Sequence, residues 1–187
     1  MTATKLTVPK TIVMVGLMGA GKSCVGRRLA AVLGLPFCDA DKEIEEAAGC
    51  SIADLFTRYG EAAFRDGERR VIHRLIEGPK HVLATGGGAF MDPRTRALIR
   101  DKCISVWLRA DLDLLIQRTQ RRSNRPLLNV PNPQGKLAEL IAERHPVYAE
   151  ADIIVDSDDS PPEVTVDRVM TALRQYLSHS ASQGSAA

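Results

Sequence analysis

Short apolar runs alternate along the chain with longer stretches in which apolar residues recur every three or four positions. Thr11–Val15, Pro36–Cys38, His81–Thr85, Ile104–Leu108 and Ile153–Val155 are short, rich in β-branched residues and almost wholly apolar. A run without polar alternation marks a strand covered on both faces, so these five segments predict a buried sheet. Helical spacing covers Ser23–Leu33, Lys42–Ala48, Ser51–Tyr59, Glu61–Glu77, Pro93–Arg100, Leu112–Gln120, Gln134–Ala149 and Glu163–Leu177. Strands that alternate with helices at this spacing predict an α/β fold, with parallel strands joined by right-handed crossovers and helices on both faces.

Two segments break the alternation. Ser123–Pro133 carries three prolines and three asparagines and reads as a loop. It sits within Leu114–Ala138, which holds five basic residues and no acidic one. The small polar run Ser178–Ala187 reads as a disordered tail. No internal repeat is visible, so residues 1–187 are expected to form one domain with its core at about 11–177.

Composition narrows the classes. A chain of 187 residues is long enough to bury about 70% of its unfolded surface in one domain. The 25 basic residues against 23 acidic give a net charge of +2, too even for a general polyanion binder. Within the basic set Arg outnumbers Lys by 18 to 7, and Arg is the side chain suited to two-pronged capture of carboxylate and phosphate. Cys24, Cys38, Cys50 and Cys103 lie apart from one another with no histidine at ligand spacing, which reads as a reducing compartment rather than a disulfide framework or zinc site. No apolar run reaches the ~18 residues a membrane helix needs, and MTATKLTVPK lacks the apolar core of a signal peptide. A cytoplasmic monomer without nucleic-acid or membrane partners is expected.

The strongest motif is GLMGAGKS, Gly16 to Ser23, placed directly between a predicted strand and a predicted helix. It matches the phosphate-binding pattern G-x-x-x-x-G-K-[ST] in the setting that the pattern requires. Gly16, Gly19 and Gly21 allow the loop to close around a polyphosphate, with backbone N–H groups and the helix N-terminus facing the anion. Lys22 is placed to reach the β- and γ-phosphates of ATP and Ser23 to ligate Mg²⁺. No guanine-reading NKxD element and no LSGGQ signature is present, so GTPase and ABC-type readings fall away. Size and the basic, proline-containing segment, a lid at about 119–133, favour a small-molecule kinase.

The acceptor side is less explicit. CDADK places Asp39 and Asp41 two residues apart after the second strand, where they read equally as a metal and hydroxyl pair or as helix-capping acids. Gly86-Gly87-Gly88 ends the third strand, either exposing amides to a ligand or forming a tight turn. Arg65, Arg125 and Arg144 taken singly read as solvated surface arginines.

Taken together, GxxGxGKS, DAD, GEAAFR, TGGG, RTQRRSNRPLL, R-x-x-x-Y and VDSDDSP stand in the order of one family, and the chain resembles the shikimate kinases from Thr11 to about Leu177. The resemblance implies a three-layer α/β/α sandwich of the P-loop nucleoside-monophosphate-kinase type, on a five-stranded sheet ordered 2-3-1-4-5. The implied reaction is ATP-dependent phosphorylation of the shikimate 3-hydroxyl, within aromatic amino-acid and chorismate biosynthesis. By the same resemblance Gly19, Ala20, Gly21, Lys22, Ser23 and Cys24 would hold ATP, with Arg118 stacked on adenine and the loop Asp156–Pro161 at its other edge. Ser23 and Asp39 would contact Mg²⁺, Asp41 would hold and deprotonate the acceptor hydroxyl, and Arg125 would swing from the lid onto the phosphates. Arg65 and Arg144 would clamp the shikimate carboxylate with the Gly87 and Gly88 amides. Phe56 and Phe64 would wall the ring, and Glu68 would orient Arg65. Cys24 departs from the Ser or Thr expected after the P-loop serine and reads as a small packing residue. The rivals are another small-metabolite kinase, such as a gluconate kinase, and a nucleotide-dependent regulatory protein without catalysis.

Overall fold

A computed structural model describes residues 6–120, 128 and 130–184. Strands β1 (Thr11–Val15), β2 (Phe37–Asp39), β3 (Val82–Ala84), β4 (Cys103–Arg109) and β5 (Ile153–Asp156) form one parallel sheet in the order β2-β3-β1-β4-β5. This is the order the resemblance implies. Helices α1 (Lys22–Leu33), α2 (Ala40–Ala48), α3 (Ile52–Glu77), α4 (Pro93–Lys102), α5 (Leu112–Gln120), α6 (Pro133–Tyr148) and α7 (Pro162–Gly184) connect and cover it.

Burial follows position in the sheet. Central β1 is buried at every residue, paired through Ile12 with Val82 on one side and Ile104 on the other. Edge strand β5 instead alternates buried and exposed positions, as one-sided cover requires. The β1–β2 crossover runs toward one edge while those from β2 onward run toward the other, so right-handedness separates α1 from α3 and α4 across the sheet. Accordingly α1 packs with α7, and α3 packs with α4. Ile12, Met14, Leu29, Ile72, Leu83, Ile104, Leu108 and Leu115 fill the core between the layers. The reversal of direction at β1 opens a crevice at the carboxyl ends of the strands, where open α/β sheets place their ligands.

One expected break in the chain is borne out, and two local differences have physical causes. The helices expected at Ser51–Tyr59 and Glu61–Glu77 are present within the span of α3 and meet at a kink at Gly60, which sits at the non-helical φ 79°, ψ 172° with nothing within 4 Å of where a Cβ would be. Backbone conformation, not space, requires glycine there. Strand β2 extends to Asp39, which brings that carboxylate to the strand's carboxyl end. Helix α7 continues past Ser178 to Gly184 instead of loosening into a tail. The hydroxyls of Ser178, Ser180 and Ser182 donate to the carbonyls of Gln175, Tyr176 and Ser178, so these serines satisfy themselves on the helix.

Candidate active site

Strand β1 delivers the chain into Gly16–Ser23. Gly16 has φ 138°, and a Cβ there would lie 2.7 Å from the Leu108 carbonyl oxygen of β4. The loop can therefore lie flat across the sheet only with glycine at that position. Helix α1 starts at Lys22 immediately behind it, so the first-turn amides point at the space above the loop. Lys22 Nζ donates to the Leu17 carbonyl at 2.9 Å, bridging the loop's two limbs. Ala20 is buried and contributes backbone alone: its carbonyl accepts from the Ser157 hydroxyl at 3.0 Å. Arg118 of α5 donates to the carbonyls of Gly19 and Asp158 and to Ser157 Oγ. It thereby joins the P-loop to the loop after β5, and adenine is expected between Arg118 itself and that second loop.

Ser23 Oγ donates to Asp39 Oδ2 at 2.7 Å, while Asp39 Oδ1 accepts from the Asp41 amide at 3.1 Å. Asp39 is thus both the N-cap of α2 and the neighbour of the P-loop serine, and Asp41 is not the cap. Two hard oxygens side by side fit Mg²⁺, which takes few protein ligands and fills its shell with phosphate and water. Among the described residues no group of three or more His, Cys, Asp or Glu could form an all-protein cage. Cys24 is exposed in the cleft wall with Arg28 Nη1 3.0 Å from its sulfur, which corrects the packing role expected for it. A small side chain on the outward face of the first turn of α1 has no core to fill.

At the other end of the cleft the groups are side chains. Arg65 of α3 donates through Nη1 to Glu68 Oε2 at 2.7 Å and through Nη2 to Glu61 at 3.3 Å. Glu68 is only 3% exposed, and its other oxygen, Oε1, is buried without a hydrogen-bond partner among the described residues. Burial raises the Glu68 pKa, with Arg65 pulling it down and Asp41 pushing it further up. Arg144 of α6 is 6% exposed, and its Nε and Nη1 are likewise buried and unpartnered among the described residues. The Phe56 and Phe64 rings meet at 4.6 Å between centroids and form an apolar wall.

The three glycines after β3 make this gathering of charge possible. A Cβ on Gly86 would come within 2.9 Å of Glu68 Oε1 and 3.0 Å of Asp41 Oδ1. One on Gly87 would press Arg144 Nη1 at 3.3 Å, and one on Gly88 would overlap the Arg65 guanidinium. Between them the three glycines clear the way for four charged side chains, a use that the motif alone does not disclose. Gly19, Gly21, Lys22, Ser23, Cys24, Asp39, Asp41, Arg65, Gly87, Gly88, Arg118 and Arg144 line one continuous cleft of about 820 Å³. Arg125, expected in the lid, lies outside the described residues. The motifs TGGG and R-x-x-x-Y contain Thr85 and Tyr148 without assigning either a role: Thr85 lines the cleft while its hydroxyl donates to the Met14 carbonyl, and the Tyr148 hydroxyl donates to the Gly87 carbonyl. For Tyr148 a signal was present, since it follows Arg144 by one helical turn.

Comparison with known proteins points to one family. The shikimate kinase family model matches residues 18–174. A shikimate kinase of Paramagnetospirillum magneticum is 62% identical over 170 residues, 91% of this chain and 87% of its own. One from Caulobacter vibrioides is 60% identical over 166 residues, 89% and 83% of the two chains. Among solved structures, shikimate kinase from Acinetobacter baumannii in complex with shikimate superposes with a TM-score of 0.86 at 38% identity, over 89% of this chain and 93% of that one.

Proposed function

This chain belongs to the shikimate kinase family, and from that premise we propose that it transfers the γ-phosphoryl group of ATP to the 3-hydroxyl of shikimate, giving shikimate 3-phosphate and ADP. Phosphoryl transfer needs alignment and charge neutralisation more than covalent help from the protein. Gly19 to Cys24 and the first turn of α1 receive the phosphates, with Lys22 reaching the β- and γ-groups. Arg118 and the loop after β5 receive adenine. Mg²⁺, held by Ser23 and Asp39, would neutralise charge on the transferring group. Asp41 holds the acceptor hydroxyl and takes its proton as the oxygen attacks. Arg65 and Arg144 grip the shikimate carboxylate, with Glu68 fixing the Arg65 fork and the Gly87 and Gly88 amides assisting. The resemblance assigns Arg125 to the phosphates in the closed lid, so Arg125→Ala should lower kcat more than it weakens shikimate binding. A change confined to the KM for shikimate would remove that role.

The observation that carries this reading is Arg144. A guanidinium cannot shed its charge, and one buried with two nitrogens unpaired among the described residues is costly unless an anion completes it. It faces the acceptor end of the cleft that holds Lys22, so the missing anion belongs to the acceptor and not to the triphosphate. A coupled ADP-release assay with MgATP, comparing shikimate, gluconate, quinate and no acceptor, tests it. Stimulation by shikimate alone is expected. Stimulation by another acceptor would keep the kinase and discard the pocket assignment, and no stimulation with ATP still bound would favour a regulatory protein.

A further inference from the structure

The reading above uses Arg144 but leaves open what aims it. Long arginine side chains are flexible, and the two unpaired nitrogens of Arg144 have no protein acceptor among the described residues to hold them in place. The neighbour with the geometry to do so is Tyr148. It is fully buried, stands four residues after Arg144 on the same face of α6, and donates its hydroxyl to the Gly87 carbonyl on the loop after β3. Its ring is held by Trp107 at 5.8 Å, His145 at 6.3 Å and Phe90 at 6.4 Å between centroids, so the hydroxyl is anchored from behind. The Arg144 guanidinium lies beside that hydroxyl and favours its ionised form, yet burial dominates and pushes the phenol up to about 12. Tyr148 therefore stays a proton donor throughout the range in which a carboxylate substrate is ionised.

We propose that Tyr148 is a positioning residue of the acceptor site: by holding the Gly87 carbonyl beside Arg144, it fixes the Arg144 fork and the neighbouring glycine amides as one receptor for a carboxylate. The inference rests on the carboxylate-clamp reading and goes beyond it by naming the group that couples α6 to the loop after β3. Gly87 is the contact point from the loop side, because a Cβ there would press Arg144 Nη1 at 3.3 Å. The hydroxyl closes the same junction from the helix side. Removing it leaves the ring packing in place but frees the Gly87 carbonyl, so the loop and the fork lose their common register. The hydroxyl donates to the loop after β3, whereas the phosphate end is built on β1 and α1.

Steady-state kinetics on Tyr148→Phe in the full chain, varying shikimate and ATP separately, tests the proposal. The KM for shikimate should rise about tenfold while kcat and the KM for ATP stay within about twofold, since a lost hydrogen bond to a buried group is of that order. A purely structural tyrosine would instead lower the melting temperature and the active fraction and leave the shikimate KM unmoved. That outcome, or an equal rise in both KM values, overturns the proposal. A cycle with Arg144→Lys adds a second readout: if Tyr148 acts through the fork, the double variant should bind shikimate no worse than Arg144→Lys alone. Fully multiplicative losses would show that it does not. Should Tyr148→Phe fail to fold, Gly87→Ala strikes the same junction from the loop, and an unchanged shikimate KM there refutes the coupling. A wild-type enzyme inert toward shikimate refutes the clamp itself, whereas an active wild type with an unaltered Tyr148→Phe refutes only the positioning role.

Discussion

At the phosphate end of the cleft, every group from Gly16 to Ser23 comes from eight consecutive residues, and most of what faces the ligand is backbone. At the acceptor end, Asp41, Arg65, Glu68, Gly86 to Gly88 and Arg144 come from α2, α3, the loop after β3 and α6, spread over more than half the chain. A backbone site is fixed as soon as its loop folds, because positive-φ glycines and a helix N-terminus are local properties. A side-chain site exists only once tertiary packing has brought distant residues together. It also carries desolvated charges, Glu68 and Arg144, that water no longer screens. In the proposed function the first design serves any polyphosphate, whereas the second discriminates between acceptors, because its buried groups, unpaired among the described residues, reject a ligand that cannot complete them.

The sharpest way to break the contrast is at Asp41, which the proposed function gives wholly to the acceptor. Asp41→Asn keeps shape and removes the base, so kcat should fall about 10²- to 10⁴-fold while ATP affinity changes by no more than about threefold. Steady-state kinetics with a separate nucleotide titration would check both numbers. A parallel loss of ATP binding would move Asp41 to the phosphate end.

Paired glycine substitutions come next. In Gly16→Ala the added Cβ meets a main-chain oxygen at 2.7 Å on a backbone at φ 138°, and neither can move away. About 1–3 kcal/mol of stability should be lost, with weakened ATP binding, measured by urea denaturation and nucleotide titration. In Gly88→Ala the obstacle is the far end of a flexible side chain, the Arg65 guanidinium, which can swing aside. Stability should hardly change, but the KM for shikimate should rise about tenfold with that for ATP intact, a loss comparable to one hydrogen bond made to a charged group. If both variants weakened ATP alone, the division of the cleft would be wrong.

The same contrast explains what could be read in advance. Five strands, the helices between them and the P-loop were legible because periodicity and a contiguous motif are properties of neighbouring residues. Strand order and the roles of Arg65 and Arg144 came only with the resemblance, since nothing in FRDGE or ERHPVY announces which residues it will face. The ambiguity between Asp39 and Asp41 could not be resolved from DAD, because what separates them is the Ser23 hydroxyl, sixteen residues away, against Asp39. Tyr148 was visible in R-x-x-x-Y but its role was not, because its partner, the Gly87 carbonyl, lies 61 residues earlier in the chain. The serine-rich end of α7 misled for a different reason. Composition records small polar residues but not that their hydroxyls turn back onto the helix carbonyls.

The smallest expected effect separates the two ends by pH. Glu68 accepts from Arg65 at 2.7 Å through one oxygen and leaves the other buried without a partner among the described residues. Burial raises its pKa above the ordinary carboxylate value, and Arg65 offsets only part of that rise. A carboxyl with a raised folded-state pKa binds its proton more tightly folded than unfolded. Its contribution to stability is therefore complete below the unfolded value and is lost as pH climbs through the raised one. Glu68→Gln cannot titrate and lacks this loss. Urea denaturation of both proteins at about pH 4 and about pH 7.5, on either side of the ordinary carboxylate pKa, should show the Gln variant gaining on the wild type as pH rises. A wild type that gained instead would mean that the Arg65 ion pair outweighs desolvation. The acceptor end would then be a satisfied charge network in the free enzyme, rather than one that waits for its substrate.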